Sequence, residues 1–128
     1  MSIQLNHTIV AARDKAASAE FTAGVLGLDV GAPFGPFLPV QTANGVTLDF
    51  MEVQPDRIVP QHYAFLVSDE EFDAIFRSIR DAGIHYYADP AHHEEGRINH
   101  RDGGRGAYFD DPNGHNLEIL TRPYGSGG

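Results

Sequence analysis

Apolar and polar residues alternate in two separated stretches of this 128-residue chain, residues 3–11 and residues 61–67. A period of two is typical of a β-strand with one apolar face. His7 lies within the first stretch, on the face of its apolar residues, and His62 lies within the second. The hydrophobic pattern therefore predicts two strands that each place a histidine on one face.

A helical spacing of apolar residues follows each predicted strand. The first helix is predicted to begin at an N-cap, Asp14, and to run to about Leu26, where Gly27 ends it. The second is predicted to begin with a capping box and to end at Gly83. The apolar stripe of the first helix is Ala17, Phe21 and Val25, and the second has the capping box Ser68 and Glu71 and the stripe Phe72, Ile75, Phe76 and Ile79.

Short strands are predicted in most of the remaining chain. Residues 29–39 are rich in Gly, Pro and Phe and predict an irregular strand or loop, and residues 89–105 form a long polar segment. Asn44-Gly45 suits the type I′ turn of a hairpin. Asp111 begins a second turn sequence, DPNG. The strands predicted around these turns are residues 40–43, 46–53, 84–88, 106–110 and 115–121.

The order of strand, helix, glycine stop and further strands occurs twice along the chain. Internal duplication of a βαβββ unit is the simplest account of this repeat. We therefore predict an α+β fold in which two βαβββ modules form a curved sheet cup, with helices outside and a concave face within. The modules are expected at about residues 1–54 and 60–122 of a single domain, residues 1–124, followed by a flexible tail, residues 125–128.

Composition limits the classes of function. The formal net charge of −9 disfavours a nucleic-acid or anionic-membrane surface. The absence of cysteine excludes thiolate nucleophiles and cysteine-based zinc sites. No apolar run approaches the roughly 20 residues of a membrane span, and the N-terminus lacks the pattern of a signal peptide. We expect a cytoplasmic protein.

A carboxylate within an apolar strand suggests a bound cation. Glu118 lies between Leu117 and Ile119, and burial of its charge is unfavourable unless a cation meets it. Strand parity allows His7 and His62 to face the same concavity. Two histidines and one carboxylate form the facial triad that binds Fe(II), and also Mn(II), Ni(II) or Zn(II). Each residue taken alone also has an interpretation without a metal, because most histidines in strands are not ligands and most glutamates in strands are solvated. Asp49 also has the required parity, as a weaker fourth candidate.

Three segments of the chain resemble the vicinal oxygen chelate superfamily: LNHTIV, QHYAFLVSDEEFDAIFRSIRDAGI and GRGAYFDDPNGHNLEIL. This superfamily includes glyoxalase I, type I extradiol dioxygenases, fosfomycin-resistance thiol transferases and bleomycin-binding proteins. The resemblance implies paired βαβββ modules, a divalent metal in the cup and, for small members, a homodimer. It also implies that His7, His62 and Glu118 are the metal ligands. Asp49 falls where glyoxalase I has a fourth ligand, normally Glu, so a four-ligand site is in doubt.

The segment from His100 to Glu118 resembles the signature of extradiol dioxygenases. Ala107 departs from it, because a larger apolar residue is usual there. The resemblance implies that His100 is a general acid/base and that Tyr108 donates a hydrogen bond to a developing oxyanion. The alternative is that His100 lies in an exposed loop and Tyr108 only packs. The matching residues are His100, Tyr108, Asp111, Pro112, Gly114 and Glu118.

Residues that could contact a substrate lie near both modules. Phe50 and Met51 could form apolar cavity walls, and Arg105 could bind an anionic substrate. Arg97 and Arg101 lie in the same loop as Arg105. All three arginines could instead offset neighbouring carboxylates, namely Glu94, Glu95 and Asp102.

These expectations together predict a divalent-metal-dependent enzyme, most simply an extradiol ring-cleavage-like dioxygenase that uses Fe(II) on a small catechol-like substrate. One alternative is a glyoxalase I-like isomerase or lyase with Ni(II) or Zn(II). Another is a metal-free bleomycin-type drug-binding resistance protein, against which the intact triad argues. The partners expected are this small-molecule substrate and, by resemblance, a second copy of the chain.

Overall fold

The computed structural model describes residues 3–127, and its chain divides into two compact units, Met1–Val59 and Pro60–Gly128. Each unit contains one α-helix and a three-stranded sheet. The first unit contains β1 (His7–Ala12), α1 (Lys15–Leu26), β2 (Leu38–Gln41) and β3 (Thr47–Glu52). The second contains β4 (His62–Leu66), α2 (Asp69–Asp81), β5 (Gly106–Asp110) and β6 (Asn116–Leu120). Short 3₁₀ turns occupy Pro55–Arg57 and Arg101–Gly103.

The two sheets have the same topology. Their strand orders are β1-β3-β2 and β4-β6-β5, so the last strand of each unit lies between the other two. In each sheet the first strand runs parallel to the last, and the two later strands form an antiparallel pair. The predicted α+β class and the internal repeat are therefore confirmed, although each sheet contains three strands where the predicted βαβββ module has four.

The first helix has the predicted ends but a different buried face. Asp14 accepts a hydrogen bond from the amide of Ala17 at 3.1 Å, and Gly27 adopts φ = 73° at the C-cap. The helix contacts all three strands of its sheet. The predicted stripe is wrong except at Val25, because small residues occupy the interface and let the helix approach closely. The buried residues are Ser18, Ala19, Thr22, Ala23 and Val25.

The second helix follows its prediction closely. Ser68 and Glu71 form the capping box, with hydrogen bonds of 2.8 and 3.1 Å. Phe72, Ile75 and Ile79 are buried. After the helix, the amides of Gly83 and Ile84 donate to the carbonyls of Arg80 and Ile79, a Schellman motif with Gly83 at φ = 69°.

Two local predictions are wrong. Residues 84–88 do not form a strand: only Tyr87 makes isolated bridges, to Glu95 and Tyr108. The β2–β3 hairpin exists, but its turn is not type I′, because Gly45 has a positive φ of 83° whereas Asn44 does not. A five-residue loop, from Thr42 to Val46, closes the hairpin.

The turn between β5 and β6 is confirmed, and Asp111 organises it. Its Oδ1 accepts hydrogen bonds from the amides of Asn113 and His115 at 2.8 and 2.9 Å. Gly114 supplies the left-handed residue, with φ = 87°. This turn fixes the register in which β5 and β6 present the candidate site. Within residues 3–127, no helix has the length and apolar character needed to cross a membrane.

Candidate active site

Strands β4 and β6 bring His62 and Glu118 together in the second unit. Glu118 pairs with Ala64 in the register, so His62 lies one pleat away on the same face of the sheet. His62 Nε2 lies 3.0 Å from Glu118 Oε1. The Glu118 side chain is 12% exposed and the His62 side chain 48%, so the pair opens to solvent on the histidine side.

The imidazole ring of His62 has an acceptor at each nitrogen. Its Nδ1 lies 3.0 Å from the backbone carbonyl oxygen of Asn116, which only accepts, so Nδ1 carries a hydrogen. In the neutral ring the lone pair of Nε2 then faces the carboxylate of Glu118. Two electron-rich atoms this close require a proton or a metal cation between them. An imidazole fixed by a backbone carbonyl, beside a carboxylate, is a donor set that fits a divalent metal.

The described residues do not provide a third metal ligand beside this pair. Across the described residues, 3–127, no group of three or more His, Cys, Asp or Glu side chains is arranged to hold a metal ion. His7 begins β1 in the first unit, where its Nδ1 lies 2.7 Å from Asn6 Oδ1. That contact involves Nδ1 of His7 and not its Nε2. Asp49 lies in β3 of the same unit, opposite Ile9. The ligand roles of His7 and Asp49 stay predictions.

Tyr108 lies beside the pair on the neighbouring strand. It pairs with Glu118 across the β5–β6 ladder, and its buried ring stacks 5.9 Å from the ring of His62. Arg101 Nη1 donates a hydrogen bond to the Tyr108 hydroxyl at 2.6 Å. Burial, followed by the charge of Glu118, raises the pKa of Tyr108, and Arg101 opposes this increase. The phenol therefore keeps its proton at neutral pH and can donate it in a hydrogen bond.

A cavity of about 610 Å³ opens over this face. Cavities of several hundred Å³ suit small molecules. All of its lining residues belong to the second unit, and they include the pair, Tyr108 and three arginines. The lining residues are His62, Ala64, Asn99, Arg101, Asp102, Arg105, Tyr108, Glu118, Leu120, Arg122, Tyr124 and Gly125.

His100 does not line this cavity. It precedes the 3₁₀ turn Arg101–Gly103 and is exposed. Its neighbour Asn99 lines the cavity instead, and donates a hydrogen bond to the carbonyl of Ala88 at 2.9 Å. The acid/base role predicted for His100 therefore stays a prediction that the geometry does not support.

The three predicted substrate contacts lie in different surroundings. Arg105 lines the cavity, but it donates to Asp73 at 2.7 Å and to Asp69 at 3.2 Å. The hydrogen bond to Asp73 is the main cause of the raised pKa of Arg105. Phe50 is buried in the core of the first unit, and Met51 is half-buried in β3.

The sequence pattern missed the C-terminal side of the cavity. Arg122, Tyr124 and Gly125 line it, although the glycine-rich end of the chain was expected to be a flexible tail. The carboxylate of Asp102 accepts hydrogen bonds from the amides of Gly125 and Gly127 at 2.9 and 3.0 Å. No local spacing marks such a contact, because its partners are more than twenty residues apart.

Comparisons with known proteins agree on one superfamily. The sequence model of the Glyoxalase/Bleomycin resistance protein/Dioxygenase superfamily matches residues 4–119. The solved structure of Oxidase ChaP-H2 is 66% identical, covers 100% of both chains and has a TM-score of 0.96. Oxidase ChaP-H1 is 58% identical over 97% of this chain and 99% of its own, with a TM-score of 0.93. Glutathione transferase FosA from Serratia marcescens is 30% identical over 121 residues, 90% of this chain and 78% of that protein.

Proposed function

The chain belongs to the glyoxalase/bleomycin resistance protein/dioxygenase superfamily, and from that premise we propose that it is a metal-dependent oxidising enzyme. Its proposed substrate is a small molecule with two adjacent oxygens, such as a catechol. The proposed reaction resembles extradiol ring cleavage and uses Fe(II), with Ni(II), Zn(II) or Mn(II) as other candidate metals. The proposal concerns the cavity of the second unit and its His62–Glu118 pair.

The observation that supports this proposal best is the arrangement of His62. The carbonyl of Asn116 fixes the Nδ1–H tautomer, which directs the Nε2 lone pair to Glu118. Backbone carbonyls orient metal-binding histidines in this way in many metal sites. His62 and Glu118 would hold the metal, with His7 as the third ligand by resemblance. A divalent ion held there would polarise substrate oxygens as a Lewis acid and, as Fe(II), would give access to dioxygen.

Residues around the pair have distinct proposed roles in the reaction. Tyr108 donates a hydrogen bond to substrate oxygen as negative charge develops on it. Its ring, stacked on His62, limits the movement of that imidazole. Ala64 and Leu120 supply apolar wall beside the pair and exclude water from the reacting oxygens.

The similarity to an oxidase at 66% identity favours oxidation over isomerisation. Asp49, where glyoxalase I has a longer carboxylate, also favours a three-ligand centre. A glyoxalase I-like or thiol-transfer reaction is the second candidate, since a glutathione transferase is 30% identical to this chain. A metal-free drug-binding protein would have no use for the carbonyl-fixed histidine.

We further propose a homodimer. Ile3, Leu5 and Ile9 share one face of the N-terminal segment and β1 with His7, and all three apolar side chains are exposed. An exposed row of apolar side chains is typical of a surface that another chain covers. The cytoplasmic location expected from the sequence stays a prediction.

Oxygen uptake tests the proposed reaction. Protein loaded with Fe(II) under anaerobic conditions is mixed with aerated catechols, and oxygen consumption and the absorbance of ring-opened products are followed. We expect activity in the wild type and loss of at least 99% of it, about 100-fold, in His62→Ala. His85→Ala is a matched control, because His85 forms a similar contact with Glu95 at 2.6 Å on an exposed surface.

The same experiment separates the two candidate reactions. Protein loaded with Ni(II) or Zn(II) is assayed with the hemithioacetal of methylglyoxal and glutathione. Turnover of that substrate, without oxygen uptake on any catechol, would replace the oxidising function with the glyoxalase-like one.

A further inference from the structure

Positive charge is concentrated at the cavity of an acidic protein. The chain has nine Lys and Arg residues and a formal net charge of −9. Three of the nine, Arg101, Arg105 and Arg122, line the cavity. Two carboxylates, Asp102 and Glu118, line the same cavity. Positive side chains in a cleft attract negative groups of a ligand locally, even when the whole protein carries a net negative charge. The distribution therefore suggests a substrate with a negative group.

Two of the three arginines have no carboxylate partner. Arg105 is neutralised by Asp69 and Asp73. Neither Arg101 nor Arg122 forms an ion pair with a carboxylate within residues 3–127. An unpaired guanidinium at a cavity wall can donate its remaining hydrogen bonds to a ligand.

The two carboxylates that line the cavity are engaged elsewhere. Glu118 Oε1 lies against His62. Both oxygens of Asp102 accept amide hydrogen bonds from the C-terminal turn, from Gly125 and Gly127. Both carboxylates remain charged, but in the described part of the chain neither forms an ion pair with Arg101 or Arg122, so these two guanidinium groups keep hydrogen-bond donors for a ligand.

Arg101 has a neutral partner that holds its position. Its Nη1 donates to the hydroxyl of Tyr108, and its Cζ lies 5.6 Å from the centre of that ring. A phenol hydroxyl carries no formal charge, so this hydrogen bond does not neutralise the guanidinium. The contact places the charge of Arg101 beside the strand position that faces Glu118.

Arg122 is held by its aliphatic stem. Gly104 packs so closely that a Cβ there would lie 2.6 Å from Arg122 Cγ and 2.6 Å from Thr121 Oγ1. The loop that contains Arg101 thus approaches the stem of Arg122. Contact along the stem leaves the guanidinium to face the cavity.

We propose that Arg101 and Arg122 form an anion-recognition site that selects substrates bearing a carboxylate in addition to their pair of metal-chelating oxygens. The planar guanidinium matches the two oxygens of a carboxylate with parallel hydrogen bonds. This assignment deepens the proposed function and rests on it for the chelating end of the substrate. The recognition of the carboxylate itself requires no metal.

Binding to metal-free protein tests the site. The probes are 3,4-dihydroxybenzoate, its methyl ester and catechol, measured by isothermal titration calorimetry. We expect the wild type to bind the acid about tenfold or more tightly than the ester, because a charge-assisted hydrogen bond is worth more than a neutral one. Arg101→Gln and Arg122→Gln should each remove most of this preference and leave the affinity for the ester within about twofold.

Two further variants test whether a general structural change, and not the loss of a binding group, explains a lost preference for the acid. Arg101→Lys keeps the charge and should retain part of the preference for the acid, whereas Arg101→Gln should not. Arg77→Gln removes an exposed arginine of α2 that does not line the cavity and should leave the preference unchanged. Equal affinity of the wild type for acid and ester would overturn the proposal, as would equal losses for both probes in Arg101→Gln and Arg122→Gln.

Failure of this site and failure of the proposed reaction give different results. In one outcome, the preference for the acid depends on Arg101 and Arg122, but the Fe(II)-loaded protein consumes no oxygen with any catechol. That result would support the anion site and contradict the oxidising function. If catechol, ester and acid bind with equal affinity and are all oxidised, the result would contradict the anion site and support the proposed reaction.

Discussion

Arg101 and Arg105 lie four residues apart, yet their guanidinium groups have different surroundings. Arg105 contacts Asp69 and Asp73 of α2, and its Cζ lies 4.4 Å from the centre of the Phe72 ring. These contacts attach the start of β5 to the helix. The guanidinium of Arg101 instead donates a hydrogen bond to the phenol of Tyr108. Both arginines line the cavity, but only Arg105 forms ion pairs with carboxylates of the helix.

We predict that Arg105→Gln lowers the free energy of unfolding by about 1 kcal/mol. Its carboxylate partners are largely exposed, so each ion pair contributes only a fraction of this, and loss of the stacking on Phe72 supplies the rest. Urea unfolding measures the change. The preference for 3,4-dihydroxybenzoate over its ester should persist; its disappearance would mean that Arg105, not Arg101, binds the anion.

We predict that Tyr108→Phe lowers turnover about 100-fold in the Fe(II)-loaded protein, because one hydrogen-bond donor to developing charge is lost. The ring still stacks on His62, so the fold and metal content should be retained. Tyr86→Phe is the matched control, since Tyr86 packs on Phe76 and does not line the cavity. Equal turnover in Tyr108→Phe and wild type would remove Tyr108 from the mechanism.

At the scale of elements, patterns that act within a few residues could be predicted. The capping box at Ser68 and the DPNG turn at Asp111 depend on neighbours that the sequence shows directly. The buried face of α1 could not, because small residues such as Ser18 and Ala19 become interior only when the helix approaches its sheet. Strand parity placed His62 and Glu118 on one face, but their hydrogen bonds depend on register.

The segment from residue 84 to residue 105 shows the limit of periodicity. Its first residues alternate like a strand, but only Tyr87 forms bridges, and Asp89 then begins a turn. The carboxylate of Asp89 accepts hydrogen bonds from the amides of His93 and Glu94 at 3.0 and 2.7 Å. Side-chain hydrogen bonds of this kind compete with strand pairing and end it.

We predict that Asp89 contributes an acid-sensitive part of the stability. Desolvation raises the pKa of its carboxyl, but the amide hydrogen bonds from His93 and Glu94 outweigh this and lower the pKa below 3.8. Since the folded pKa is depressed, the contribution is complete above the unfolded value and is lost as pH falls through the folded value.

Urea unfolding of wild type and Asp89→Asn at several pH values tests this prediction. The wild type should be the more stable at neutral pH, with a difference that is constant above about pH 5 and shrinks below pH 3.8. A difference that stays constant to pH 2 would show that the charge of Asp89 does not stabilise the turn.

At the scale of the whole molecule, exposed apolar residues just before and within β1 predict a second copy of the chain. Leu5 is 68% exposed and Ile9 is 47% exposed, beside His7. Sedimentation equilibrium should give twice the chain mass of 14.0 kDa. Ile9→Glu should reduce this mass toward that of one chain, while Val59→Glu, at an exposed apolar site outside β1, should not. A wild-type mass of one chain at micromolar concentration would contradict the prediction.

All three metal ligands stay predictions, and the third depends on more than the fold of the second unit. Resemblance assigns His7, whose contact with Asn6 involves Nδ1 and not Nε2. The two proposed ligands of the second unit need only the local β4–β6 register. A ligand from β1 would depend on how separate parts of the protein assemble. That assembly is not encoded in the spacing of any one segment.

Metal content tests the central claim most directly. Protein purified without chelator, then loaded anaerobically with Fe(II) and desalted, is measured by elemental analysis for wild type, His62→Ala, Glu118→Gln and His7→Ala. We predict about one metal ion per chain in the wild type and a fall of at least tenfold in occupancy at limiting metal for each variant, with His85→Ala unchanged. Wild-type protein that retains no Fe(II), Ni(II), Zn(II) or Mn(II), or His62→Ala and Glu118→Gln variants that bind metal as the wild type does, would contradict the account.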